Sequence, residues 1–463
     1  MENTLEKVLE IEKDGKILEY RFSFDNFLMW PIIRWAVFLQ ALKDPKVQTT
    51  KSHPKISQFL KYAANVFMKY PHFVKNTDIM SFGATTSDVL INKKYFNRIH
   101  DYYNFIYPEN TIFFELPNNF EYKKPRAFKN TYYYDYIRIM PILMSKLNKN
   151  IDIEQMRTIN AFVDHLKSNF AMQFEDSYYE TIKARLIKEE KRLRYRKKYF
   201  LKLLDKIKPK VLFLNCAYYG EESYIIKWAK ERRITTAEFQ HGVVSRMHPA
   251  YNYGDAILNS EEYRKYTPDY FLTYGEYWSK QIKIPGKTFV VGNPHFHESI
   301  KRYKDIKEEK DTIMIVSQWT LTKEFVKIAR YLASKFKNKK IIFKMHPGEM
   351  KNYNLINPLE SFRNIEIQKD GDIYELLAKY ESIVACYSTT VFEALAFNKK
   401  TYILDNSYSK KYVPKEIGKR FRNYTELEDL IKNKVKNENE PDIEYYFNSN
   451  WKENYDNFLK EIL

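Results

Sequence analysis

Short apolar runs recur along the chain, several of them closed by glycine, histidine or small hydroxyl residues. Runs over 78–82, 111–114, 211–215, 236–239, 270–274 and 289–291 have strand character, and a second series follows over 312–316, 341–345, 382–386 and 401–404. Amphipathic stretches separate them. Helices are predicted over 223–231 and 323–336 and after Thr390, with an entry strand and helix over 20–42, a helix over 52–70 and a helical tail over 443–463. Residues 129–200 read as largely helical. From Phe174 to Ile207 no proline or glycine interrupts, and Leu186, Leu193, Phe200 and Ile207 recur every seven residues, predicting one long helix ended by Pro209. Alternating strand and helix predicts α/β architecture with parallel sheets. At 463 residues the chain exceeds one ordinary core. The charged run Glu308-Glu309-Lys310-Asp311 divides the two strand series.

Composition changes this picture in three places. Net charge is +18, and between Lys183 and Lys210 thirteen Lys and Arg stand against three acids. More than half the excess therefore lies on the long helix, which suggests an anionic partner such as a phospholipid surface or an acidic glycan. Nucleic acid is disfavoured, because the basic run lacks interleaved stacking aromatics and no recognition motif is present. Cys216 and Cys386 cannot build a disulfide framework and lack metal-ligand spacing, which fits a reducing compartment. The first residues carry Glu2, Glu6, Glu10 and Glu12 in place of a basic, then apolar leader, and the most apolar segment, 27–42, contains Pro31 and Arg34. Neither a signal peptide nor a membrane span is expected, and the expected location is cytoplasmic, with peripheral attachment to the inner membrane face through the basic helix.

In parallel sheets ligands collect beyond the C-terminal ends of the strands. Four polar clusters fall at such ends. Ser388-Thr389-Thr390 precedes a helix, whose free N–H groups and dipole bind phosphate. One hydroxyl would suffice as a cap; three exceed that need. Glu393, one turn deeper, can accept from the hydroxyls of a ribose. His346-Pro347-Gly348-Glu349 ends the 341–345 strand, with Lys344 just before it, and an imidazolium at His346 would stabilise charge on a leaving nucleotide phosphate. Ser317-Gln318 ends the 312–316 strand. In the first half Gln240-His241-Gly242 ends a strand, and a neutral imidazole there suits a general base acting on an acceptor hydroxyl. His248, His295 and His297 are rivals for that role. No glycine-rich nucleotide loop is present. Asp370-Gly371-Asp372 reads as a turn, so neither a metal nor another cofactor is expected.

In order, Gln240-His241-Gly242, Val291-Gly292-Asn293-Pro294, Ser317-Gln318, Lys344-Met345-His346-Pro347-Gly348-Glu349 and Tyr387-Ser388-Thr389-Thr390 with Phe392-Glu393-Ala394-Leu395 resemble bacterial surface-polysaccharide transferases of the GT-B fold. These are the capsule and lipooligosaccharide glycosyltransferases, including sialyl- and Kdo-transferases, and the related teichoic-acid glycerophosphotransferases. The resemblance covers about residues 205–405. It implies two Rossmann-like domains facing a cleft: an acceptor-binding domain over 1–300 with a helical insertion at about 129–207, a nucleotide-donor domain over 301–440, and a last segment, 441–463, returning to the first domain. It further implies His241 as base, His346 as the phosphate-contacting histidine, and Ser388 and Thr389 as the phosphate cradle. Gln318, Lys344, Pro347, Gly348, Glu349, Thr390 and Glu393 would complete the donor site, and Gln240, Gly242, Arg246 and His248 the acceptor site. Polysialyltransferases carry an acidic residue before the first-half glycine, where this chain has His241, so sialic acid is not specifically implied. The expected reaction is transfer of a sugar from a CMP-, CDP- or UDP-linked donor to a growing polysaccharide or lipid-linked glycan. Polyol-phosphate or sugar-phosphate transfer is the alternative. A nucleotide-sugar 2-epimerase and a non-catalytic polyanion- or membrane-binding scaffold stand further off.

Overall fold

The computed structural model of the chain describes residues 2–42, 76–118, 121–147, 151–435 and 441–463. The helix predicted over 52–70 lies outside the described residues. The chain forms two compact units. One comprises Met1–Tyr274, Trp278–Val291 and Asn450–Leu463, the other Gly275–Tyr277 and Gly292–Ser449.

The first unit holds strands β1 (Ile79–Ala84), β2 (Asp88–Ile91), β3 (Lys94–Asn97), β4 (Thr111–Leu116), β5 (Thr131–Tyr133), β6 (Val211–Leu214), β7 (Thr235–Phe239), β8 (Tyr270–Thr273) and β9 (Lys287–Val290). Seven of them form one sheet in the order β5-β4-β1-β6-β7-β8-β9, and β2 and β3 form a separate antiparallel hairpin. Every pairing in the large sheet is parallel. Counted along that sheet the order is 3-2-1-4-5-6-7, the doubly wound Rossmann arrangement, with its switch point between β1 and β6.

Five helices matter to the first unit: α1 (Trp30–Leu42), α2 (Asp135–Ser145), α3 (Ile153–Asn169), α4 (Asp176–Ile207) and α5 (Ser223–Glu231). The heptad residues of α4, Leu186, Leu193, Phe200 and Ile207, are all fully buried. Each such side chain contributes about 1.5–3 kcal/mol through removal from water. Lys208, with φ +52°, closes the helix in the left-handed conformation just before Pro209. The last helix, Trp451–Ile462, lays Trp451, Tyr455, Phe458 and Leu459 against Val211, Phe213, Ala237 and Phe239 of the same unit.

The second unit is built from β10 (Glu309–Val316), β11 (Lys340–Lys344), β12 (Ile365–Gln368), β13 (Tyr380–Ala385), β14 (Lys400–Leu404) and β15 (Lys419–Phe421), all paired in parallel in the order β12-β11-β10-β13-β14-β15. This is again 3-2-1-4-5-6, and its switch point falls between β10 and β13. Helix α6 (Thr322–Lys335) packs Phe325, Ile328 and Leu332 onto Ile313, Ile315, Ile341 and Phe343, and α7 (Thr389–Ala396) follows β13. The α/β class and the two Rossmann-like sheets expected from the sequence are what the chain forms.

Three local expectations need correction. The entry strand at Tyr20 is a single bridge, Arg21 to Leu28, because α1 begins at Trp30 and leaves no room for a ladder. Residues Thr131–Tyr133, read as helical, form the edge strand β5. The basic run does not present a uniformly charged face. Arg192 and Arg196 both pair with Glu189, Lys197 with Asp25 and Glu231, and Arg185 with Glu221. Lys188, Arg194, Lys198 and Lys202 remain exposed. No described helix is long and apolar enough to cross a membrane.

Candidate functional site

In the first unit the chemistry gathers beside the switch point. After β6 the backbone turns through Cys216, held at φ +53°, into a short turn over Ala217–Tyr219. A non-glycine residue in the left-handed region at a strand end marks a constrained loop. Gly220, φ +77°, follows, and a Cβ there would lie 2.1 Å from the Pro31 carbonyl oxygen. The loop therefore rests directly on the start of α1. One turn along α1, Trp35 stacks on Tyr219 at 4.4 Å, and Tyr219 lies parallel to His248 at 5.9 Å.

His241, at the end of β7, sits inside this aromatic frame with its side chain 24% exposed. The Tyr219 hydroxyl lies 3.3 Å from Nε2 and the Tyr251 hydroxyl 3.5 Å from Nδ1, with Cys216 Sγ 3.7 Å from Nε2. Tyr251 donates its own proton to Glu238 Oε1 at 2.6 Å, so its oxygen is left to accept from Nδ1–H. With Glu238 ionised, that network assigns the proton to Nδ1 and the lone pair to Nε2. Glu238 is fully buried and also accepts from the Tyr218 N–H at 2.9 Å. Its nearer oxygen is 3.8 Å from the imidazole but is taken by Tyr251, so no charged pair forms. Desolvation pushes His241 down to about 4, with Arg98 adding to the shift, and pushes Glu238 up to about 7. Desolvation likewise lowers His248 to about 3 and raises the Cys216 thiol. At neutral pH His241 is thus a neutral imidazole with an accepting nitrogen, the form a general base requires.

Glu238 carries a testable consequence. Its folded-state value of about 7 lies above the ordinary 4.5, so the folded chain holds a proton that the unfolded chain releases. The resulting stability is complete below pH ~4.5 and is lost as pH rises through ~7. Glu238→Gln cannot titrate. Urea unfolding at pH 5 and pH 8 should show the wild type losing on the order of 2–3 kcal/mol more than the variant across that interval.

The other acceptor-side candidates divide. Gln240 is 1% exposed; its amide donates to the Gly242 carbonyl at 2.8 Å and accepts from the Tyr274 N–H at 2.9 Å. It braces the loop and is buried away from any acceptor. His248 accepts from the Ala250 N–H through Nδ1, closing the next turn, as well as stacking in the frame. Arg246 is exposed and lines a separate cavity of about 740 Å³ with Glu6 and Glu10. His295 is buried against Tyr374, and His297 is half-buried.

In the second unit β11, β10 and β13 are adjacent, so their three C-terminal loops lie side by side. Glu349 ties them together. It is fully buried and accepts from Ser317 Oγ at 2.6 Å, Thr322 Oγ1 at 2.5 Å and the His346 N–H at 2.7 Å. Both carboxylate oxygens are thereby occupied, which makes Glu349 a brace for the turn and not an exposed ligand contact. His346 is exposed; Nδ1 accepts from the Gly348 N–H at 3.0 Å, which leaves the proton on Nε2, pointing away from the turn. Desolvation lowers its pKa, with Glu349 opposing. The group is therefore a neutral N–H donor, where the sequence suggested an imidazolium. Lys344 Nζ donates to the carbonyl of Asp370 at 3.1 Å.

Ser388 caps α7: its Oγ accepts from the Thr390 N–H at 3.2 Å and donates to the Thr390 hydroxyl at 3.0 Å. Thr389 is half-exposed, while Thr390 and Glu393 are buried. Glu393 accepts from the Tyr374 hydroxyl at 3.0 Å, so one of its oxygens is engaged with protein. Gln318, at the β10 end, carries a buried Oε1 with no hydrogen-bond partner among the described residues. Trp319 beside it is 43% exposed. Among the described residues no group of three or more His, Cys, Asp or Glu could hold a metal ion.

Sequence reasoning missed Glu238, Tyr251, Tyr219 and Trp319. Glu238 and Trp319 adjoin the motifs it used, and their position at strand ends was the available signal. Tyr219 and Tyr251 lie on other loops, and only the sheet order brings them to His241.

No protein-family model matches the chain, and no curated protein matches it. Solved structures similar to it include UDP-GlcNAc 2-epimerase from Methanocaldococcus jannaschii, at 14% identity and TM-score 0.47, covering 83% of this chain and 98% of that one. The putative UDP-N-acetylglucosamine 2-epimerase from Listeria monocytogenes is 11% identical with TM-score 0.44, covering 83% and 95%. The pneumococcal O-GlcNAc transferase GtfA is 12% identical with TM-score 0.37, covering 58% of this chain and 59% of that one. At these identities and TM-scores no activity or residue role passes from them to this chain.

Proposed function

We propose that this chain is a metal-independent glycosyltransferase. The second unit binds a CMP-, CDP- or UDP-linked sugar, and the first binds a growing bacterial surface polysaccharide, such as a capsule or lipooligosaccharide chain, or a lipid-linked glycan. The observation that carries the reading is the edge formed by the ends of β10, β11 and β13. There the imidazole N–H of His346, the hydroxyl of Thr389 and the N-terminal end of α7 adjoin the switch point. Neutral N–H donors and a helix start stabilise a departing phosphate without an ion. Gln318 supplies an acceptor for a ligand N–H or O–H, and Trp319 a face for a base or sugar ring. His241 Nε2 takes the proton from the acceptor hydroxyl as that oxygen attacks the anomeric carbon, and the C–O bond to the nucleotide phosphate breaks.

Epimerisation at a sugar carbon would call for solvent-reaching carboxylates. Glu238 beside His241, Glu349 beside His346 and Glu393 on α7 are buried and hydrogen-bonded to protein. The test is incubation of the full chain with CMP-, CDP- and UDP-sugars and oligosaccharide or lipid-linked acceptors, with released nucleotide and extended product both followed. Transfer releases nucleotide in step with product. An intact donor inverted at C2, or a product carrying phosphate from the donor, would contradict the reading.

A further inference from the structure

A second concavity in the first unit is lined by cations. It has a volume of about 560 Å³ and lies among α1, α2, α4 and the loop before α5. Arg138, Arg185, Lys188, Arg192 and Arg196 line it. The opposing carboxyls are Glu189, Glu221 and Glu222. Glu189 braces Arg196 at 3.1 Å and Arg192 at 3.6 Å, and Glu221 meets Arg185 at 3.3 Å. Burial raises the Glu222 carboxyl, with Arg138 and Arg196 opposing.

A solvated ion-pair network on a convex helix face would need nothing more. This one is concave, and its cations outnumber its carboxyls. Low-dielectric walls focus the potential of such an excess into the cavity. A guanidinium has five N–H donors in a rigid plane, more than its share of one carboxylate can use, and that fork fits two phosphate oxygens. The cavity volume is of ordinary ligand size. Its place is also informative. Ile32 lines it, and Trp35, three residues on along α1, stacks on the tyrosine that contacts His241. At 1.5 Å rise per residue Ile32 and Trp35 are about 5 Å apart along that helix.

We propose that this basic pocket binds a phosphate or pyrophosphate group of the acceptor; its assignment to the acceptor rests on the function proposed above, its anion chemistry does not. The anion can belong to a lipid headgroup or to a soluble phosphate-bearing glycan.

The test uses the full chain and the double variant Lys188→Gln/Arg192→Gln. Calorimetric titration with inorganic pyrophosphate should show affinity falling at least tenfold in the variant, with UDP affinity changed less than twofold, since the nucleotide is assigned to the other unit. Lys188→Arg/Arg192→Lys, which keeps the charge, should restore most of the loss and shows that folding is not the cause. Parallel sedimentation uses vesicles of phosphatidylglycerol and of phosphatidylcholine. If the Gln variant also loses phosphatidylglycerol binding, a lipid headgroup is the source. If vesicle binding is unchanged while pyrophosphate binding falls, the source is soluble. Unchanged pyrophosphate affinity in the Gln variant would overturn the pocket. Loss of pyrophosphate binding in an enzyme that turns over no nucleotide sugar would keep the pocket and overturn the transferase.

Discussion

Replacing His241 by alanine should lower turnover by about 10³-fold, the range general-base removal produces. Nucleotide affinity should stay within twofold, because the ring's partners Cys216, Tyr219 and Tyr251 belong to the first unit and the nucleotide is assigned to the second. The effect follows from the network. Glu238 takes the Tyr251 proton, Tyr251 takes Nδ1–H, and Nε2, 3.3 Å from the Tyr219 hydroxyl, is the accepting nitrogen. Tyr251→Phe removes the middle link and should lower turnover less, since the imidazole itself remains. Single-turnover kinetics would separate these from a binding defect. Turnover in His241→Ala within fivefold of the wild type would show that the imidazole is not the base.

Replacing Arg34 by methionine should cost the first unit about 3–5 kcal/mol, the range for breaking one side of a buried ion pair. Arg34 is 2% exposed and Glu12 fully buried. Its Nε meets Glu12 Oε1 at 2.6 Å, and its Nη1 and Nη2 donate to the carbonyls of Pro249 and Asn252, each at 2.6 Å. The guanidinium also lies 3.7 Å over the Tyr253 ring. Glu12 in turn accepts from Trp30 Nε1 at 2.7 Å and the Gly254 N–H at 2.9 Å. One pair thus fastens α1 to the 249–254 loop, which carries Tyr251 to His241. Methionine leaves the buried Glu12 carboxylate without its cation, with only the Trp30 and Gly254 N–H groups still donating to it. Urea unfolding would measure the loss, and the double change Glu12→Gln/Arg34→Met should recover part of it. A loss below 1 kcal/mol for the single variant would contradict this role.

The central strands were legible because both of their faces are buried. They read as continuous apolar runs such as Val211-Leu212-Phe213-Leu214 and Ile341-Ile342-Phe343. The strands that sequence reasoning missed in the two large sheets, β5, β12 and β15, are edge strands. Ile365-Glu366-Ile367-Gln368 alternates and Lys419-Arg420-Phe421 is short and charged, as edges are when they resist further pairing. The long α4 helix was legible from its seven-residue stripe, but the pairing of its cations was not, since Asp25, Glu221 and Glu231 come from elsewhere in the chain. In the candidate site, His241, His346 and Ser388 stood out as polar residues at strand ends. Their neighbours' duties did not. Glu349 looks like a ligand contact in the sequence and is a brace in the fold, because Ser317 and Thr322 reach it from β10 and α6.

The account depends most on a nucleotide phosphate meeting the β10, β11 and β13 edge. Calorimetric titration of UDP, CDP, CMP and GDP into the wild type and into His346→Ala tests this directly. Saturable binding of at least one nucleotide is expected, weakened about 10- to 100-fold when the Nε2–H donor is removed, as for loss of a hydrogen bond to a charged group. No binding by any of the four at millimolar concentration, or binding that His346→Ala leaves unchanged, would contradict it.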